Sequence, residues 1–129
     1  MNLIKSFSAI VLSLSAVTAF ASPAFLITHN NTGVESNAFI AGTIPSPYPT
    51  AANATRQIRW NMVKLACYGH ATANKCPALV KMATNTDKPV DLGMMTMDLD
   101  TGDITPKKLS SNGYTLTING PGEATITKN

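Results

Sequence analysis

The densest set of side chains able to do chemistry is Asp98-Leu99-Asp100-Thr101-Gly102-Asp103. Alternate carboxylates running up to a glycine have the character of an oxygen-ligand loop for calcium. An EF-hand loop would need a third acid or amide at its fifth place and a glutamate beyond. Here Gly102 stands fifth and the next glutamate is Glu123. Asp and Gly are also the residues that a tight turn demands, so the segment reads first as a turn with solvated acids. Calcium at Asp98, Asp100 and Asp103 is the alternative. The two histidines, His29 and His70, share no metal-ligand spacing with a cysteine, an acid or each other, and zinc needs three or four ligands. Both read as loop or strand-end residues. A serine nucleophile lacks its Gly-x-Ser-x-Gly elbow, and nothing selects a pair among Glu35, Glu123 and the aspartates for two-carboxylate hydrolysis. The expectation is a protein that is not an enzyme, with no catalytic residue, no cofactor and no assigned metal site.

Cys67 and Cys76 are the only cysteines and enclose Tyr68 to Lys75. A redox pair of the common kind is C-x-x-C, where the second sulfur lowers the pKa of the first, and this spacing does not supply that. In an oxidising compartment the pair reads as one structural disulfide, which by loop entropy would stabilise the fold by about 2–3 kcal/mol.

The compartment follows from the first residues. Lys5 precedes the apolar run Phe7 to Phe20, and Ala19-Phe20-Ala21 is an A-x-A cleavage site followed by Ser22-Pro23. These are the zones of a cleavable signal peptide, residues 1–21. The run falls short of the ~20 apolar residues that a spanning helix needs, and Ser8, Ser13, Ser15 and Thr18 interrupt it, so stable membrane insertion after cleavage is not expected. A lipoprotein would need a cysteine at the cleavage point. Residues 22–129 then form one exported domain, periplasmic or secreted after cleavage near Ala21. The formal net charge is +3, but the cations are scattered, the densest group being Lys107-Lys108, which argues against nucleic-acid binding.

The elements that must position these residues are short β-favouring runs punctuated by Gly, Pro and Asn. They are Ala24–Thr28, Asn37–Ile44, Gln57–Cys67, Ala78–Thr84, Val90–Asp98, Ile104–Thr105, Tyr114–Asn119 and Glu123–Thr127. Pro45, Pro47 and Pro49 forbid ladder bonding across Ser46 and Tyr48 and make 45–55 a surface loop. In 57–67, Ile58, Trp60 and Met62 alternate before the phase shifts to Val63, Leu65 and Cys67, which suggests a strand with a bulge near Met62-Val63. A helix competes there, since Ile58, Met62 and Leu65 also share a helical face, but Gly69 and the β-rich context favour the strand. About seven to eight short strands joined by turns predict an all-β, antiparallel sandwich of the immunoglobulin-like type, its disulfide pinning a hairpin. Trp60 is expected in its core, with a surface anchor as the alternative.

Tyr48 among the prolines, with Tyr68 and His70 in the disulfide loop, makes the best candidate recognition surface, because loops on a rigid scaffold commonly carry binding. Asn30-Asn31-Thr32 and Asn53-Ala54-Thr55 match the glycosylation pattern and are given no role. Lys81-Met82-Ala83-Thr84-Asn85-Thr86 and Asn119-Gly120-Pro121-Gly122-Glu123-Ala124-Thr125, with the export signal, resemble small secreted or periplasmic β-rich proteins of host-associated bacteria. That resemblance implies export and carries over no active residue. The function expected is binding of a protein, glycan or cell-surface partner through loops. A small secreted hydrolase or calcium-binding domain is one alternative. A structural or adhesive subunit assembling through sheet edges is the other.

Overall fold

The computed structural model describes residues 21–129. The signal peptide expected at 1–21 lies outside the described residues, apart from Ala21. The chain from Pro23 onward is built into the domain: Trp60 N–H donates to Ala24 O at 3.0 Å, and the Pro23 ring covers Gly102 and Gly122. Both glycines have positive φ, and a Cβ on Gly102 would stand 2.6 Å from the Pro23 ring, so these turns need glycine for space as well as conformation.

Ten strands form two five-stranded sheets. The first has the order β4 (Ala54–Arg59), β1 (Phe25–Asn31), β10 (Glu123–Lys128), β9 (Tyr114–Gly120), β8 (Lys108–Ser111). The second has the order β3 (Ile44–Pro45), β2 (Ser36–Ile40), β5 (Lys75–Met82), β6 (Val90–Asp98), β7 (Ile104–Thr105). Met82, Leu92, Met95 and Ile104 of the second sheet pack against Leu116, Ala124 and Ile126 of the first, which makes the molecule an all-β sandwich with one disulfide. Period-2 alternation explains the inward set on β9 and β10, where Leu116 and Ile126 are buried while Thr117 and Thr127 face solvent. All pairings are antiparallel except β1 with β10, which is parallel.

The strand count exceeds the expected seven to eight because β3 and β8 are short edge pieces with little periodicity of their own. The prolines limit pairing without abolishing it. Pro45 sits in the edge strand β3, Ser46 N–H still donates to Ala38 O at 2.8 Å, and Thr50 and Ser36 exchange backbone bonds at 2.8 and 2.9 Å.

The strand expected over Gln57–Cys67 is the main correction. Strand β4 ends at Arg59, and Trp60–Cys67 is a helix, α1. Its local signals are poor: no side chain caps its N-terminus, no acid occupies its first turn, and only Lys64 in the last turn suits the dipole. Tertiary contacts hold it instead. Trp60, Val63 and Cys67, spaced i, i+3, i+7, are buried against Ile40, Cys76 and Leu99. Trp60 is therefore core, its indole N–H donating to Leu99 O at 2.9 Å. The Cys67–Cys76 bridge is formed, with its Cα atoms 6.0 Å apart, and ties the end of α1 to β5 rather than pinning a strand hairpin. No helix among the described residues is long and apolar enough to cross a membrane.

Candidate functional site

The chain passes from the second sheet to the first through the proline segment 45–53, and it returns through α1 and the disulfide. These two crossings run side by side at one flank of the sandwich. Between them lies a groove lined by Ile44, Pro45, Pro47 and Tyr48 on one side and Met62, Leu65 and Ala66 on the other. Leu65 is 66% exposed and Ile44 40%, an unusual grouping of large apolar side chains in water. They are there because α1 buries only the Trp60-Val63-Cys67 stripe, which leaves the Met62-Leu65-Ala66 stripe facing outward.

The proline wall is held by polar bonds. Asn37 Nδ2 donates to Ser46 O at 2.9 Å, and Tyr48 N–H donates to Ser46 Oγ at 3.0 Å. Arg56 of β4 donates to Pro49 O at 2.9 Å and lies over the Tyr48 ring, 5.5 Å from its centroid. At the far end Asn30 is fully buried and donates to Val34 O, Thr50 O and Ala51 O at 2.8, 3.2 and 3.2 Å, while its side-chain oxygen accepts from Thr32. The first of the two glycosylation patterns is thus consumed as an internal brace.

Of the expected recognition residues, Tyr48 lines this groove and is half-buried. Tyr68 and His70 follow α1, exposed, with Tyr68 at 82%. They lie past the C-terminal end of α1 and do not line the groove. Sequence reasoning missed Ile44, Met62 and Leu65 as site residues. The signal for the last two was their helical spacing, which the strand assignment overrode.

The aspartates of 98–103 do not converge. Asp98 Oδ1 accepts the backbone N–H groups of Asp100 and Thr101 at 2.8 and 3.1 Å, and its other oxygen takes Lys75 Nζ at 3.3 Å. Those backbone bonds, helped by Lys75, hold its carboxyl below the usual aspartate range. Asp100 accepts from Asn74 Nδ2 at 3.0 Å, and Asp103 pairs with Lys107. Among the described residues no three His, Cys, Asp or Glu side chains come together as a metal site would need.

One polar constellation escaped the sequence. His29 lies within β1, not in a loop or at a strand end. Its Nε2 is 2.6 Å from Glu123 Oε2 of β10 and its Nδ1 is 3.0 Å from Thr55 Oγ1 of β4. Pairing register makes the set: His29 stands opposite Thr55, and Glu123 opposite Ile27. Carboxylate, imidazole and hydroxyl occur in the order of a nucleophile triad. They lie on the outward face of the first sheet, however, with His29 and Glu123 side chains 32% and 39% exposed, and neither this groove nor the space beneath it is lined by them.

Comparison with known proteins adds family and fold. A family model described as "T2SS substrate NttC" matches residues 1–129. The crystal structure of the type II secretion system substrate NttC of Legionella pneumophila matches with a TM-score of 0.83 and 68% identity, over 84% of this chain and all of that one. No curated protein matches. The chain belongs to the NttC family of type II secretion substrates, which makes it a secreted bacterial protein with a β-sandwich fold.

Proposed function

We propose that this member of the NttC family is a non-enzymatic binding domain that acts outside the cell, using the groove between the proline segment and α1 to hold an apolar feature of a cell-surface partner. It is made with the leader 1–21, folds and forms its disulfide in the periplasm, and leaves by type II secretion as its crystallised relative does. That relative's full length corresponds to 84% of this chain, the share that Ser22–Asn129 makes up.

The observation that carries the reading is the outward Met62-Leu65 stripe of α1 facing Ile44 and Tyr48 across the groove. Exposed apolar side chains grouped on a rigid frame, with an aromatic and an arginine beside them, have the composition of an interaction hot spot. Sheet edges offer less. Strands β3 and β7 have two residues each, and β4 and β8 carry Arg56, Arg59 and Lys108, the devices that discourage strand addition.

The test is saturable binding of the fluorescent secreted protein to intact host cells. Leu65→Lys is expected to weaken it at least tenfold with little change in melting temperature. Equal binding by wild type and variant would reject the groove as the contact.

A hydrolase is the second reading, supported by the Glu123-His29-Thr55 distances alone. The set has no surrounding cleft to orient a substrate or exclude water, so it serves better as a polar clasp across three strands. Hydrolysis of simple esters that disappears in both Thr55→Val and His29→Ala would reverse that preference.

A further inference from the structure

The interior of the sandwich is unevenly filled. Buried apolar side chains fall into two groups, one around Met82, Leu116 and Ile126, the other around Trp60, Val63 and the disulfide. Between them Leu26, Ile58, Ala78, Val80, Met97 and Ile118 line a shared space and are only half-buried. A close-packed interior would cover side chains in such positions completely. A cavity of about 140 Å³ occupies the gap. It arises from small residues where bulk would close it: Ala38 on β2, Ala66 on α1, Ala78 on β5 and Ala124 on β10.

The cavity opens toward the groove, sharing Ile40, Ser46, Tyr48 and Ala66 with it. Among its polar neighbours, Asn37 Nδ2 donates to Ser46 O and Ser46 Oγ accepts from Tyr48 N–H, while Thr28, Ser36 and Thr50 add hydroxyl groups to a lining that is otherwise mostly apolar. No buried side-chain nitrogen or oxygen among the described residues lacks a partner. With Leu, Ile, Val, Met and Ala making up most of its lining, the space suits an apolar occupant, as dry cavities of about 150 Å³ suit a benzene-sized group. Beside the mouth stands Arg56, which stacks on Tyr48 and forms no ion pair among the described residues. Its guanidinium has five donors and gives one bond to Pro49 O, leaving capacity for an anion.

We infer that the cavity takes the end of a single acyl chain, with about six carbons inside, and that Arg56 at the mouth receives the anionic head of the same amphiphile. The inference rests on the binding reading only in its location, because it names the occupant of the space beneath the groove. The anionic acyl compound is either a free fatty acid or a membrane lipid with one chain drawn out.

The test titrates the secreted protein with decanoate by calorimetry, and separately with vesicles of phosphatidylglycerol. Saturable one-to-one decanoate binding is expected, with methyl NMR shifts at Met95, Met97 and Ile118. Ala78→Leu, which fills the cavity, should weaken binding at least tenfold without lowering the melting temperature. Ala38→Met serves the same purpose if Ala78→Leu fails to fold. Arg56→Gln should weaken decanoate several-fold and leave benzene binding unchanged. Vesicle binding with the same losses and no uptake of free decanoate would assign the chain to a membrane lipid. Absence of binding in both arms, or binding that neither filling variant reduces, overturns the inference. Leu65→Lys separates the two readings: it should leave decanoate binding intact, and loss of decanoate in that variant would move the occupant from the cavity to the groove and reject the interior site.

Discussion

The apolar groove beside α1 and the polar clasp around His29 divide between them what a catalytic site would need in one place. The groove, with the cavity beneath it, has space and apolar surface, but no carboxylate or imidazole lines either one, and Asn37 and Ser46 are used to hold the proline segment. The clasp has a carboxylate, an imidazole and a hydroxyl at hydrogen-bond distance, but it lies on an open sheet face. Reactive side chains without an enclosure do not orient a substrate, whereas an enclosure without reactive side chains can still bind one. We therefore propose binding at the groove flank and a bracing role for the His29 clasp on the first sheet.

The comparison is tested most severely at Trp60. Trp60→Ala removes the buried anchor of α1 and its bond to Leu99 O, and should cost about 3–5 kcal/mol in urea denaturation. Partner binding at the groove should collapse with it. Retained binding would show that α1 does not form the groove wall that matters.

Breaking the disulfide with Cys67→Ser and Cys76→Ser should cost about 2–3 kcal/mol, with faster amide exchange concentrated in α1 and the start of β5. Uniform loosening of the first sheet as well would contradict the separation of the two regions. His29→Ala should be milder, about 0.5–1.5 kcal/mol, since it leaves a partly exposed Glu123 and Thr55 free to meet water. It should leave groove binding unchanged.

The smallest effect is expected at Asp98. Its carboxyl is held below the usual range by backbone N–H groups and Lys75, so its contribution is present when ionised and is lost as pH falls below about 4. Asp98→Asn should flatten that acid limb of the stability curve and leave neutral-pH binding intact. An unchanged acid limb would show that the turn gains nothing from the charge.

Legibility differed between elements for physical reasons. The alternation of Tyr114, Leu116 and Ile118 placed β9 correctly because a strand with one buried face writes its period into the chain. The prolines marked the segment around Tyr48 as a surface loop, and the structure puts Tyr48, half-buried, on the groove wall. For 57–67 the local pattern fitted both periods. The decision lay in contacts of Trp60, Val63 and Cys67 with Leu99, Ile40 and Cys76, residues distant in the chain. With the helix unseen, the outward Met62-Leu65 stripe was unseen too. The clasp was beyond reach for a similar reason: His29 and Glu123 are brought together by a parallel pairing of the first strand with the last.

By itself the sequence determined the class of molecule, a β-sandwich stapled by Cys67 and Cys76, and its expected export. Those properties depend on residue type, short-range periodicity and local punctuation, all of which are written in order along the chain. Only the tertiary structure decided where apolar surface, interior space and the polar clasp lie. The groove, the cavity and the clasp each arise from side chains that strand register and helix docking bring together across long separations.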